Sequence, residues 1–283
     1  MVEAQVKFIL ENYGQDDQRT AAWHLKRGEM LTASEIYKTV KDATPAQRHE
    51  IIMGKLTPKE SGGQFTTARA LLWGTRFEPI AKQIFEDMYD VELVDTTCIP
   101  HSVHKFLGAS PDGIQLTSDS TNARYGRLVE FKCPISRDFD ESTPVPSAYY
   151  HQMQLQMECA GLNSCDYMEF KFKDMNFTEW SESNAEYKSV FMVCEDGKDV
   201  IYRHFKDTRT IVEWKDDLTK NDDRHWMFVF WVLVKYKVQS VDKDTTWLDT
   251  NLPYFQKTWD DIVEHRLNGT VPEHPKEKNI LSL

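Results

Sequence analysis

The stretch at 108–134 constrains the chain most, because it joins a tight turn to a strand that carries charged side chains. Its sequence SPDG at 110–113 is typical of a turn, since proline fixes one backbone torsion and glycine permits a positive one. Residues 127–133 then predict a strand. Side chains alternate along a strand, so Glu130 and Lys132 are predicted to share one face while their neighbours point to the other.

Two acidic residues of this stretch, Asp112 and Glu130, are predicted to converge from adjacent strands on one point. Carboxylate oxygens suit Mg²⁺ or Mn²⁺, and the backbone carbonyl of Phe131 could supply a third oxygen. Lys132 would lie near the attacking water or a substrate phosphate, and Glu78, from a helix, could complete the shell directly or through water. An alternative stays open here, because such charges often occur together by chance: Asp112 only shapes a turn, and Glu130 and Lys132 form a surface ion pair.

The rest of the chain predicts a mixed α/β fold with a central sheet flanked by helices. Apolar residues at three- and four-residue spacings predict a long helix over 66–89, with Glu78 within the apolar arc and Pro79 kinking or dividing the helix. The other predicted elements are helices at 44–56, 207–218 and 252–267 and strands at 91–100, 166–173, 189–195, 198–205 and 225–241.

A helix predicted over 147–161 follows the charged strand, with Gly161 as its C-cap. Helical spacing places Tyr149, Gln152 and Gln156 along one arc of this helix. These three side chains are therefore predicted to face the same neighbour.

Residues 226–234, WMFVFWVLV, form the longest apolar run. A membrane-spanning helix needs about 20 apolar residues, so this run predicts a buried strand and no membrane partner. The N-terminal sequence has no basic region followed by a small-residue cleavage site, which predicts a non-secreted, intracellular protein. The five cysteines are odd in number and form no CxxC pair, so we expect buried thiols and neither a disulfide framework nor a zinc site.

The chain is acidic, with a net charge of −11. General nucleic-acid binders are usually basic, so this charge argues against one. It does not exclude an enzyme that holds phosphates at one local patch, because a metal site adds carboxylates whose bound cations the formal charge leaves out.

The string at 108–134, with SPDG and VEFKCP, resembles the core of the PD-(D/E)XK nucleases. More closely it is similar to the phage lambda exonuclease / YqaJ-like viral recombinase branch, which includes viral alkaline exonucleases. Further segments agree in the same order, from about residue 20 to about residue 170: AWHLKRGEMLTASEIY at 22–37, WGTRFEPIA at 73–81, KCPISRDF at 132–139 and AYYHQMQLQM at 148–157.

The resemblance implies a restriction-endonuclease-like core and a role for each matching residue. Asp112 and Glu130 would be the metal ligands with the Phe131 carbonyl, Lys132 the catalytic lysine, and Glu78 an acid that assists the metal or the water. On the following helix, Gln152 and Tyr149 would line the active site.

The resemblance also implies a pocket for a DNA 5′-phosphate, formed by Arg27 and Ser34. From the residues alone, Arg27 could equally be a solvated surface charge and Ser34 a helix cap. A guanidinium suits the pocket because it binds phosphate in a bidentate way.

The family implies a Mg²⁺-dependent nuclease that resects duplex DNA ends in the 5′→3′ direction, for recombination, repair or viral genome processing. It further implies a ring of three subunits, a single-strand annealing recombinase as partner and, for a viral protein, the host cytoplasm or nucleus. Two alternatives are an endonuclease on the same core and a catalytically inactive DNA-end-binding protein.

The family's small enzymes end soon after the core, so residues 1–206 are predicted to form the nuclease core with an N-terminal helical end-binding region. Residues 207–283 are predicted to form a strand-helix extension packed on that core, the whole being one continuous domain.

Overall fold

A seven-stranded mixed sheet forms the centre of the computed structural model, which describes residues 1–15, 18, 20–57 and 68–275. Helices pack on both faces of the sheet, which confirms the predicted α/β class. The helices are α1 (Val2–Tyr13), α2 (Ala21–Gly28), α3 (Pro45–Leu56), α4 (Arg69–Tyr89), α5 (Ser147–Ala160), α6 (Phe177–Glu182), α7 (Ile211–Thr219) and α8 (Trp247–Asn268). The strands are β1 (Leu31–Thr32), β2 (Glu92–Val94), β3 (Ile99–Pro100), β4 (Leu107–Ala109), β5 (Gly113–Leu116), β6 (Leu128–Lys132), β7 (Ser164–Met175), β8 (Lys188–Cys194), β9 (Val200–Tyr202) and β10 (Trp226–Asp242).

The large sheet has the strand order β2-β5-β6-β7-β10-β8-β9. Strands β6 and β7 run parallel, and the other neighbouring strands run antiparallel. A parallel pair needs a crossover, and α5 supplies it between β6 and β7. A second, three-stranded sheet has the order β1-β4-β3, with β1 parallel to β4. This small sheet places the segment after α2 next to the turn that precedes β5.

The strand predicted from the apolar run is β10, and it lies between β7 and β8 in the large sheet. The segment that begins at residue 207 therefore supplies an inner strand of the sheet. The predicted burial of the run is wrong in part: Trp231 is fully buried, but Met227 is 48% exposed and Val234 57% exposed. The sequence of an apolar run does not reveal which of its side chains other elements of the fold will cover, so it does not predict which of them stay exposed.

Helix α4 is continuous from Arg69 to Tyr89, so Pro79 does not divide it. Proline lacks a backbone N–H, so the helix lacks one hydrogen bond at this position but does not end there. Its apolar arc includes Phe77 and Phe85, which pack against Val129 and Phe131 of β6. The predicted start of this helix at residue 66 lies outside the described residues.

Helix α5 covers the opposite face of β6, where Leu128 lies in its core. Gly161 follows the helix with a φ of +63°, a conformation that favours glycine, and this confirms the predicted C-cap. Strand β6 is thus enclosed by α4 on one face and α5 on the other. Side chains of β6 therefore point alternately toward α4 and toward α5.

The structure also bears on the predicted start of α3, on the cysteines and on the length of the helices. Helix α3 begins as predicted, with the side chains of Thr44 and Gln47 each accepting a hydrogen bond from the other residue's backbone N–H. All five cysteines are buried and free, as expected. None of the helices in the described residues is both long enough and apolar enough to cross a membrane.

Candidate active site

The carboxylate of Glu130 is fully buried at the centre of β6 and accepts hydrogen bonds from three side chains. Lys132 donates to its Oε1 atom from two positions along the strand, so the predicted shared face is confirmed. Gln152 donates to Oε1 at 2.7 Å and Gln156 donates to Oε2 at 2.7 Å. The two glutamines lie one turn apart on α5, which places both amides over the strand. Burying a carboxylate is costly unless it is paired and hydrogen-bonded, and these donors meet that condition.

Asp112 lies in the turn before β5, and its Oδ2 atom accepts a hydrogen bond from the backbone N–H of Phe131 at 2.8 Å. This bond ties the turn to β6, so the two predicted parts of the stretch are joined directly. Burial, and then the negative charges of Glu130 and Glu78, raise the pKa of Asp112 well above its usual value. The two carboxylates thus repel each other electrostatically within one site.

The ammonium group of Lys132 lies 4.6 Å from the ring centroid of Tyr149, on the first turn of α5. Burial lowers the pKa of this lysine, but the charges of Glu130 and Asp112 outweigh burial and raise the pKa above its usual value. The side chain is 24% exposed, whereas that of Glu130 is 1% exposed. Lys132 is therefore the member of the ion pair that a ligand can reach.

A cleft of about 450 Å³ opens beside this cluster and is called the active-site cleft below. Its lining includes Glu78 from α4, Lys132 from β6, Tyr149 from α5 and Arg137 from the segment after β6. The structure therefore brings the four together, as predicted for all but Arg137. Within the described residues, no three or more His, Cys, Asp or Glu side chains are grouped so that they could hold a metal ion. Glu78 lines the same cleft, and its negative charge acts on Asp112.

The residues present nevertheless fit a hard divalent cation. Asp112 and Glu130 offer carboxylate oxygens, and Mg²⁺ binds through one or two carboxylates while it keeps several waters. Burial and the neighbouring negative charges together raise the pKa of Asp112, and a bound cation would relieve the repulsion between these charges. A third oxygen could come from the carbonyl of Phe131, the residue between Glu130 and Lys132.

The second predicted site also assembles. The Nη2 atom of Arg27, in the last turn of α2, donates to Ser34 Oγ at 2.8 Å and to Thr32 Oγ1 at 3.1 Å. The guanidinium lies 4.2 Å from the ring centroid of Trp23, and burial lowers its pKa. Ser34 is not a helix cap, because the next helical turn, the 3₁₀ helix Ile36–Lys38, has no side-chain cap. We call Arg27, Thr32 and Ser34 the Arg27 pocket.

The two sites are connected through one aromatic side chain. Trp23, which lies under the guanidinium of Arg27, donates from Nε1 to Ser110 Oγ at 3.1 Å. Ser110 begins the turn that holds Asp112. A shift of α2 would therefore move Ser110 and the turn that carries Asp112.

Sequence reasoning missed two residues that support the Arg27 pocket. Lys55, at the end of α3, has a side chain only 3% exposed and donates to the backbone carbonyl of Arg27 at 3.0 Å. It also pairs with Glu35 at 2.5 Å, and Glu35 accepts a hydrogen bond from the backbone N–H of Thr32 at 2.9 Å. No motif marks Lys55, since a lysine near a helix C-terminus is common.

A second ion pair was also missed beside Lys132. Arg137 lines the active-site cleft and pairs with Glu169, a fully buried residue of β7. Glu169 stands directly across from Lys132 in the parallel ladder. The only available signal was that Arg137 falls within the KCPISRDF segment.

The mixed sheet, with Asp112 in the turn before β5 and with Glu130 and Lys132 on the neighbouring strand β6, defines a protein with the PD-(D/E)XK nuclease fold. The chain belongs to the YqaJ-like viral recombinase domain family, whose model matches residues 22–163. The family predicted from the sequence is thereby confirmed.

Individual relatives extend the comparison. The chain is 28% identical to the uncharacterized protein R354 of Acanthamoeba polyphaga mimivirus over 182 residues, which are 62% of this chain and 32% of that protein. The match thus spans about a third of the relative's length. The crystal structure of an alkaline exonuclease (LHK-Exo) from Laribacter hongkongensis is similar, with a TM-score of 0.54 and 18% identity, over 88% of this chain and 95% of that chain. The same enzyme in complex with dAMP gives a TM-score of 0.52 at 18% identity, over 87% of this chain and 93% of that chain. At these identities the structures show the shared fold.

Proposed function

We propose that the chain is a Mg²⁺-dependent DNA exonuclease that resects linear duplex ends in the 5′→3′ direction. The observation that carries the proposal is Glu130, which Lys132 and two glutamines hold beside Asp112 at the active-site cleft. Membership in the YqaJ-like family and the fold shared with an alkaline exonuclease support DNA as the substrate.

Asp112 and Glu130 would hold the Mg²⁺ ion together with the Phe131 carbonyl, and Mn²⁺ could substitute because it also prefers oxygen ligands. When bound, the ion would polarise the scissile phosphate and lower the pKa of a water molecule. Gln152 and Gln156 donate to Glu130 and fix the position of the carboxylate that would hold the cation.

The chain's own residues would position the reactants. Lys132 presents its ammonium group at the cleft, where it could bind a phosphate oxygen and stabilise the negative charge that develops there. Tyr149 lies against that ammonium and limits its movement. Glu78, on the α4 side of the cleft, could orient the attacking water through a hydrogen bond.

The Arg27 pocket would select the DNA end. A guanidinium beside two hydroxyl groups can bind the oxygens of a terminal 5′-phosphate. This local cation makes the overall acidic charge compatible with DNA binding, because the grip on phosphate is confined to a few positions. The ring of three subunits and the annealing recombinase partner remain predictions of the family resemblance.

Linear and covalently closed circular duplexes of the same sequence test the proposal. We expect the linear duplex to lose nucleotides progressively from its 5′ ends, while the closed circle stays intact because it has no end. Cleavage of the closed circle at a similar rate would contradict an exonuclease and favour an endonuclease. Binding to linear ends without any digestion would favour an inactive end-binding protein.

A further inference from the structure

A second cleft, of about 240 Å³, lies on the face of α4 that points away from the active-site cleft. Helical spacing separates the two linings, since 69, 73 and 76 fall on one side of the helix while 70, 74 and 78 fall on the other. Strands of the large sheet form its other wall. The lining is Arg69, Leu72, Trp73, Arg76, Phe77, Asp174, Phe191 and Val229. We call it the Trp73 cleft.

Trp73 is the platform of this cleft and carries a polar atom without a partner. Its ring lies 4.4 Å from that of Phe77, so the indole is held against a fully packed aromatic core. The Nε1 atom is buried and has no hydrogen-bond partner among the described residues. Buried indole N–H groups usually have an acceptor, but those of Trp180 and Trp231 also lack one among the described residues, so the role of Trp73 as a platform rests on its ring.

The rim of the cleft carries charges of both signs. Arg69 is exposed, and Arg76 is anchored by donating to the backbone carbonyl of Gly197 at 3.2 Å. Asp174, at the end of β7, is exposed on the same cleft. An aromatic platform for a base, arginines for a phosphate and a carboxylate for an exocyclic amine are the groups that bind an unpaired nucleotide.

We propose that the Trp73 cleft binds one unpaired nucleotide of the DNA end on which the enzyme acts. This inference rests on the proposed function. The two clefts are separated by a single helix, whose diameter is about 10 Å, so the nucleotide at Trp73 lies close to the reaction but outside it. Either strand of a frayed end could provide that nucleotide.

Binding measurements on duplexes with and without overhangs test the inference. The full-length protein is titrated with blunt, 5′-overhang and 3′-overhang duplexes whose phosphorothioate linkages resist hydrolysis, and the dissociation constants are compared. For Trp73→Ala we expect affinity for one overhang duplex to fall about tenfold, because a stacked base is lost, while affinity for the blunt duplex changes less. Trp73→Phe, which keeps a ring but offers a smaller stacking face, should lose about two- to fivefold. The overhang that is affected identifies the strand.

The matched control is Trp180, whose indole Nε1 is also buried and without a partner in the described residues but which lies on α6, against Phe230. Trp180→Phe is expected to leave all three affinities unchanged. Should Trp73→Ala fail to fold, as judged by its thermal midpoint, Trp73→Phe and the exposed Arg69→Ala still decide the question, each with weaker overhang binding expected.

Unchanged overhang affinity in the Trp73 and Arg69 variants, or an equal loss on blunt and overhang duplexes, would overturn the inference. Digestion of linear duplex by the wild-type protein is measured in parallel. If the wild-type protein digests linear duplex and the Trp73 variants keep their overhang affinity, nucleotide binding at the Trp73 cleft is contradicted but the proposed function is not. If the wild-type protein neither digests nor binds duplex ends, the proposed function itself is contradicted.

Discussion

The Nη2 atom of Arg27 lies 2.8 Å from the Oγ atom of Ser34, although one residue lies in the last turn of a helix and the other follows a strand. Thr32 approaches the same guanidinium nitrogen at 3.1 Å. A cation and two hydroxyl groups converge there, and Trp23 links them to the turn of the active site. The proposed site for the DNA end and the proposed site for hydrolysis are thus linked by direct side-chain contacts.

Replacing Arg27 tests the end-binding role of the pocket. Arg27→Lys keeps the charge but loses the planar, bidentate donor, so we expect preference for 5′-phosphorylated over 5′-hydroxyl ends to fall about tenfold or more. The measurement is the ratio of initial digestion rates on the two substrates. Lys105→Ala, at an exposed lysine, is the control and should keep the wild-type ratio. An unchanged ratio in Arg27→Lys would remove the pocket from the mechanism.

The C-terminal helix is predicted to support this pocket. Arg266, near the end of α8, donates to the backbone carbonyls of Gly28 and Lys55, each at 3.0 Å. It therefore holds together the ends of the two helices that position Arg27. We expect Arg266→Gln to lower the free energy of unfolding by about 1–3 kcal/mol, since two part-buried carbonyls lose a charged donor, and to weaken end preference without abolishing hydrolysis of other ends.

Urea unfolding and the ratio of rates on the two kinds of end measure these effects. Lys7→Gln, at an exposed i,i+4 ion pair on α1, is the control and should change stability by less than about 0.5 kcal/mol. Loss of stability with full end preference would show that Arg266 is structural only.

Gln156 is predicted to act through Glu130. Gln156→Leu removes a donor to the buried carboxylate at similar volume, so we expect metal affinity and activity to fall about 10–100-fold, as for other partners of metal ligands. Calorimetric titration with Mg²⁺ and digestion rates measure the two quantities. Gln154, equally buried on α5, bonds instead to the backbone near Asp242 and Asp244, so Gln154→Leu should lose stability but keep metal affinity. Equal metal affinity in the two variants would contradict the role of Gln156.

The side chain of His101 is predicted to stay neutral in the folded protein at pH values where a solvent-exposed histidine would already be protonated. Its Nδ1 atom accepts hydrogen bonds from the backbone N–H groups of Val103 and His104, and burial lowers its pKa to about 4. The unfolded chain binds this proton near pH 6.5, so the contribution of His101 to stability is complete above pH 6.5. It declines as the pH falls and is lost by about pH 4, which amounts to roughly 1–3 kcal/mol after a discount for solvent screening.

An NMR titration of the His101 ring signals measures this pKa directly. Urea unfolding of wild type and His101→Gln between pH 7 and pH 4 should show a smaller loss of stability in the variant. A ring that titrates near pH 6.5 in the folded state would contradict the prediction.

The sequence predicted the site better than it predicted its supports. Alternation along β6 was enough to place Glu130 and Lys132 on one face, and helical spacing was enough to place Gln152 and Gln156 on one arc of α5, because both patterns are local. That this arc faces Glu130 depends on how α5 packs on β6, which the spacing does not give. The association of Arg27 with Ser34 came from the family resemblance, since no periodicity relates the end of a helix to the residues after a short strand. The pairs Lys55–Glu35 and Arg137–Glu169 depend on which elements pack together, and that information is not local.

The large sheet likewise has features that local sequence patterns predict and features that depend on long-range contacts. Most strands and helices were predicted near their observed bounds, but the inner position of β10 was not, because strand order is set by long-range pairing. The six-residue helix α6 was missed because its signal is a single cap, in which Asn176 accepts from the backbone N–H of Glu179 at 3.0 Å.

The central claim is that the cluster around Lys132 hydrolyses DNA with a divalent cation. The most direct measurement is a timed digest of linear, 5′-phosphorylated duplex by wild type, Lys132→Met and Lys82→Met, with Mg²⁺ and with a chelator. Lys82 is the matched control, because its side chain is also 24% exposed and pairs with an acid, Asp95, outside the active-site cleft. We predict digestion by wild type and Lys82→Met only with Mg²⁺, and a loss of at least about a hundredfold in Lys132→Met. Full activity of folded Lys132→Met, or equal digestion in the chelator, would contradict the account.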